Sequence, residues 1–158
     1  MDANKPVAYM ERTRRYYEAQ GFEHAYQYAH YDDTPFIAPQ KPLSACRVGL
    51  ITTASLTHRP PLTPRNVAST EIAPLPETLF TDDLSWDKQA THTEDLNSYC
   101  PIQTLQSLQT EGYIGELCKR LHCAPTEYSQ RSTLENDAPE LLQRLREDGA
   151  DVALLVPL

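Results

Sequence analysis

Long apolar runs are missing from this 158-residue sequence, and no stretch approaches the twenty or so apolar residues needed to cross a bilayer. No membrane association is therefore expected. Glycine is also scarce: there are five, scattered, and none falls into the spacing of a dinucleotide or P-loop cradle. Basic residues are outnumbered, 14 Lys and Arg against 22 Asp and Glu, for a formal charge of −8. No segment gathers them into a phosphate-tracking face, which excludes non-specific nucleic-acid binding as a function. The opening Met1-Asp2-Ala3-Asn4-Lys5-Pro6 has neither the basic start nor the apolar stretch of a secretory leader, so a cytoplasmic location is expected. Internal repeats are absent.

What is present suits a folded protein. Hydrophobic residues make up 40% and charged ones 23%, and the length predicts a single α/β domain over 1–158. Within it, 1–43 reads as an N-terminal helix plus an extended arm and 44–158 as the core. Cys46, Cys100, Cys118 and Cys123 read as free thiols in a reducing compartment. Cys118, His122 and Cys123 supply one pair of thiol ligands where a structural zinc site wants two, so no metal is expected, and a metal-binding protein is the weakest reading.

Along the chain, Val7 to Gln20 has helical spacing, with Val7, Met10 and Tyr17 on one face and Gly21 placed to stop it. Phe22 to Leu43 is aromatic and proline-punctuated, and reads as an ordered loop or interface arm. Cys46 to Thr53 is a short β-rich apolar run, the expected first strand. Residues 57 to 76 carry Pro60, Pro61, Pro64, Pro74 and Pro76, which forbid helix and interior strand alike. Pro101 opens a helix with the stripe Ile102, Leu105 and Leu108, ended by Gly112. A short helical turn is expected around Ile114 to Lys119. Asp137 reads as an N-cap, with Glu140 completing the box and Leu141, Leu142 and Leu145 forming a buried stripe. After Gly149, Asp151 to Pro157 reads as a fully buried strand. A helix, a two-residue turn and a continuous apolar strand together predict a mostly parallel, three-layer α/β sheet with flanking helices and a long proline-rich connection after the first strand.

Several segments, taken in order, carry a resemblance. These are Arg14-Arg15-Tyr16-Tyr17, Tyr28-Ala29-His30, Thr34-Pro35-Phe36 and Lys41-Pro42-Leu43. Val48-Gly49-Leu50-Ile51-Thr52-Thr53-Ala54, Asp95-Leu96-Asn97, Cys100-Pro101-Ile102 and Glu111-Gly112-Tyr113-Ile114-Gly115 follow, and Asp148 to Leu158 closes the series. Together they resemble the selenoprotein B family of glycine, sarcosine, betaine and D-proline reductases, nearest the D-proline reductase type. In that family the last strand runs into a motif bearing selenocysteine or cysteine. The sequence ends at Leu158, where that motif would begin. The expectation is a truncation at a UGA codon, with the nucleophile immediately after Leu158 and no cofactor within the chain.

The resemblance implies a selenol- or thiol-dependent oxidoreductase that cleaves a C–N or related C–X bond in a small molecule. It also implies a second, pyruvoyl-bearing reductase subunit and a thiol electron donor; a homo-oligomer is allowed. In an open parallel sheet, reacting groups gather beyond the carboxyl ends of the strands. That makes Thr52 and Thr53 candidates for substrate binding, although capping a strand end is their commoner role. Asp95 and Asn97 match the family pattern, and capping the helix at Pro101 suits them equally. Cys100 is the secondary catalytic candidate, because it abuts a helix N-terminus that favours thiolate. His92 and the group His30, Asp32 and Asp33 are weaker polar candidates, and Trp86 reads as core or interface. Around Ala68 to Glu71 the family's Asp and Arg are missing, and Ser85 to Thr93 is not His-rich, so substrate identity does not carry over. The alternative is a non-catalytic binding or assembly subunit of the same fold.

Overall fold

A computed structural model describes residues 8–24, 29–57, 66–81, 92–126 and 129–158. The chain divides into two compact units, Met1–Phe36 and Ile37–Leu158. In the first, α1 spans Tyr9–Ala19 and ends at Gly21, whose φ of 80° breaks the helix as its sequence position predicts. Glu11 pairs with both Arg14 and Arg15 on its surface. Tyr17 meets Phe22 edge to face at 5.4 Å.

The second unit is built on a four-stranded sheet of order β2-β3-β1-β4. Its elements in chain order are β1 (Arg47–Thr52), β2 (Ala68–Glu71), α2 (Ile102–Thr110), β3 (Glu116–Cys123), α3 (Gln130–Ser132), α4 (Ala138–Glu147) and β4 (Val152–Val156). β1 pairs in parallel with both β3 and β4, and β2 runs antiparallel along β3. The expected α/β sheet with flanking helices is therefore present. β2 lies within the proline-rich connection but only at the sheet edge, the one place such a segment is tolerated.

Alternation along the strands sets the layers. Val48, Leu50, Leu117, Leu121 and Cys123 form one core with Ile102 and Leu105 of α2. The opposite face carries α4: a β-carbon on Gly49 would collide with Leu145. β1 leads to α2 on one face, whereas β3 leads to α4 on the other. Adjacent strands whose connections leave to opposite faces open a crevice at their carboxyl ends.

Three expectations are corrected. Ile114 to Lys119 is no helical turn, since Glu116–Cys123 is the strand β3. Its place between β1 and β2 overrides the helix preference of its Leu, Lys and Arg residues. It carries a bulge as well, with Leu117 to Leu121 running opposite Val48 to Leu50. The closing strand β4 is not fully buried. It is the sheet edge, and Leu154 and Leu155 are 40% and 54% exposed. Asp137 is no N-cap: its backbone is helical, because the π turn Thr133–Asp137 joins α3 to α4. The capping side chain sits upstream at Ser129, which accepts from the Ser132 amide, and Glu140 pairs with Arg144 instead. Of the predicted stripe, Leu145 is buried and Leu142 is 48% exposed.

The turn after α4 follows the sequence. Gly149 has φ 68°, and Ala150 N–H donates to the Leu145 carbonyl at 2.9 Å. The positive φ is what requires glycine at Gly149, since the nearest atom to an added β-carbon is the movable end of Arg47.

Candidate functional site at the carboxyl ends of the strands

Thr52 ends β1 and Thr53 follows it, beside Ala124 just past the end of β3. Thr52 is fully buried, and its hydroxyl donates to the Tyr99 carbonyl at 3.0 Å. The Ala124 amide donates to the Thr52 carbonyl at 2.8 Å. Thr53 faces outward: its hydroxyl accepts from the Leu158 amide at 2.8 Å, and its carbonyl from Thr126 Oγ1 at 3.3 Å. The end of β4 is thus tied to the end of β1, as the predicted parallel sheet requires. Leu158 is 43% exposed there.

Thr52 also connects this rim to the loop before α2. Asp95 Oδ1 accepts from the Asn97 amide at 3.0 Å and caps the 3-10 turn Leu96–Ser98. Asn97 Nδ2 donates to Thr104 Oγ1 at 2.8 Å, which fastens the loop to α2. Its other side-chain atom, Oδ1, is buried with no donor facing it among the described residues. An amide oxygen left so is costly unless a ligand or solvent supplies a donor. A cavity of about 330 Å³ opens here, lined by Leu75, Pro76, Glu77, Glu94, Asp95, Leu96, Asn97, Cys100 and Gln103. Among the described residues its wall carries three carboxylates, Glu77, Glu94 and Asp95, and no cation.

Cys100 is the one thiol on that wall. It is buried, and burial pushes its pKa up to about 11, so desolvation outweighs any help from the helix N-terminus and the group is a neutral thiol. Cys118 is raised to about 11 and Cys123 to about 12, again chiefly by burial. Cys123 joins the α2-side core, whereas His122 turns to the other face to meet Ser69 and Asp148, so Cys118, His122 and Cys123 do not converge on a metal.

No protein-family model, curated protein or solved structure matches this chain. Among the described residues, no helix is long and apolar enough to cross a membrane.

Asp95, Asn97 and Cys100 thus share one cavity, Thr52 reaches the Tyr99 carbonyl beside Cys100, and Thr53 turns instead to Leu158 and Thr126. His30 and Asp32 contact each other at 3.1 Å as highly exposed side chains of the N-terminal unit. His92 is exposed, its Nδ1 accepting from the Glu94 amide at 3.4 Å. Trp86 lies outside the described residues. Sequence reasoning missed Glu77, Leu75 and Gln103 as cavity wall. Leu75 sits in the proline-rich connection and Glu77 just after it, where no periodicity assigns a face, and Gln103 reads only as the outer side of α2.

Proposed function

We propose that this chain is the nucleophile-presenting part of a selenol- or thiol-dependent reductase of the selenoprotein B type, acting on a small amine. The observation that supports it most is the join of Leu158 to Thr53 at the carboxyl ends of the strands, next to Thr52, whose hydroxyl donates to the carbonyl of Tyr99, the residue before Cys100 of the cavity wall. A selenol carried immediately after Leu158 would emerge at this rim. The buried Asn97 Oδ1 and the carboxylates of Glu77, Glu94 and Asp95 suit the N–H donors and positive charge of an amine.

In the reaction implied by the resemblance, the selenolate attacks the carbon of a C–N bond and the amine leaves with a proton. A thiolate then attacks selenium, the carbon takes a proton, and a selenenylsulfide forms. A dithiol returns the two electrons. The raised pKa of Cys100 favours a nucleophile other than Cys100 itself. The codon following Leu158 tests the proposal: UGA followed by an open frame supports it, and any other stop codon defeats it.

A further inference from the structure

On the α4 side of the sheet lies a second constellation, unrelated to the first. We propose that Ser69, His122 and Asp148 form a nucleophile, base and orienting acid that cleave small cationic esters in the groove between β2 and α4. It stands apart from the reductase reading and uses none of its residues.

With His122 neutral and its proton on Nε2, each donor in the cluster meets an acceptor. Asp148 Oδ1 accepts from Arg120 Nε at 2.6 Å, which orients the carboxylate. Its Oδ2 lies 3.0 Å from His122 Nε2, so Nε2 carries the proton and Nδ1 is a bare acceptor. Ser69 Oγ sits 2.8 Å from that Nδ1 and donates to it. Arg144 Nη1 donates to Ser69 Oγ at 2.6 Å, placing a positive charge where an alkoxide or oxyanion would develop. His122 is fully buried and Asp148 is 11% exposed, whereas Ser69 is half-buried on the groove wall. The base is dry and the nucleophile is reachable, as acyl transfer needs.

The groove holds about 960 Å³. Arg120 and Arg144 are engaged with Glu147, Asp148 and Glu140, while Glu71 and Glu135 stand exposed on its wall. The lining therefore favours a positively charged group, such as the amine of an amino-acid ester. Ser69 Oγ adds to the ester carbonyl carbon as His122 Nδ1 takes its proton. The tetrahedral species collapses, the C–O bond breaks, and the alcohol leaves with the proton from His122. Water, activated by the same nitrogen, then releases the acid and restores Ser69.

The test is to treat the whole chain with a small alkyl fluorophosphonate and map the adduct by mass spectrometry. One adduct on Ser69 is expected, absent from Ser69→Ala and formed about a hundredfold more slowly in His122→Gln, the scale of a lost general base. The rate should rise with pH through a midpoint below 6.5. Burial holds His122 down against Asp148, which acts the other way, while the cations of Arg120 and Arg144 lower it further. Natively folded protein left unlabelled at Ser69, or labelled equally fast in His122→Gln, overturns the proposal. Should His122→Gln fail to fold, Ser69→Cys serves: iodoacetamide should alkylate position 69 faster than free cysteine at pH 7. A slower or equal rate would identify the cluster as a structural clasp only.

Discussion

Replacing Thr52 by valine separates a structural hydroxyl from a substrate-binding one. The side chain is fully buried, and its oxygen donates to the Tyr99 carbonyl at 3.0 Å. Valine keeps the branched shape, so packing is preserved while the Tyr99 carbonyl loses this donor inside the core. An acceptor left in this way costs about 1–3 kcal/mol. The added methyl returns up to about 0.8 kcal/mol of apolar burial, leaving a net loss on the order of 1–2 kcal/mol. For a domain of this size that lowers the melting temperature by roughly 2–8 °C. Urea unfolding followed by circular dichroism reads the change directly, with an unaltered slope and a lower midpoint. Thr53→Val is the internal control. Its hydroxyl takes the Leu158 amide at the exposed rim, so the cost should stay near 0.5 kcal/mol, the low end for a net hydrogen bond. A neutral Thr52→Val, or a larger loss for Thr53→Val, would refute this assignment of the two hydroxyls.

Other expectations follow from close approach, burial and titration. Gly115→Ala should cost about 1–3 kcal/mol or prevent folding, because its β-carbon would lie 2.8 Å from the Ala45 carbonyl carbon and the Cys46 oxygen, backbone atoms that cannot rotate away; wild-type stability by urea unfolding would contradict this. Cys100, Cys118 and Cys123 should react with an aromatic disulfide at pH 8 only after denaturant is added, given pKa values of about 11, 11 and 12; fast native-state reaction at these positions would contradict it. His122 is held below its ordinary 6.5, so below that pH the unfolded chain binds the extra proton first. Its stabilisation is complete above pH 6.5 and is lost as pH falls towards the depressed folded value. Asp151 and Glu147, also lowered by their hydrogen bonds, add a further loss below about pH 4. Urea midpoints measured from pH 7.5 to 5 should fall in wild type and stay flat in His122→Gln; parallel slopes would refute the assignment.

How far the sequence could be read depended on how local each signal was. Helix α2 and its Ile102, Leu105 and Leu108 stripe, the Gly149 turn and the β1 run were legible because each depends on neighbours within a few residues. β3 was not legible. Leu117, Cys118, Leu121, His122 and Cys123 are buried on both faces around a bulge, so neither period 2 nor period 3.6 emerges. The apolar run of β4 read as interior, since composition cannot tell a central strand from an edge whose outer half stays open. At the candidate site, Thr53 and Leu158 lie 105 residues apart and meet only because β1 and β4 pair. Ser69, His122 and Asp148 were beyond reach for the same reason, compounded by β3 having been read as a helical turn.

The most direct measurement compares two proteins: the 158-residue chain, and a form extended through the next codon with selenocysteine or cysteine inserted there. Each is assayed for dithiol-driven cleavage of a small amine, with its reductase partner supplied. Activity confined to the extended form is the predicted result. Equal turnover by both would mean that the reactive group lies within the 158 residues and that a nucleophile beyond Leu158 is not required.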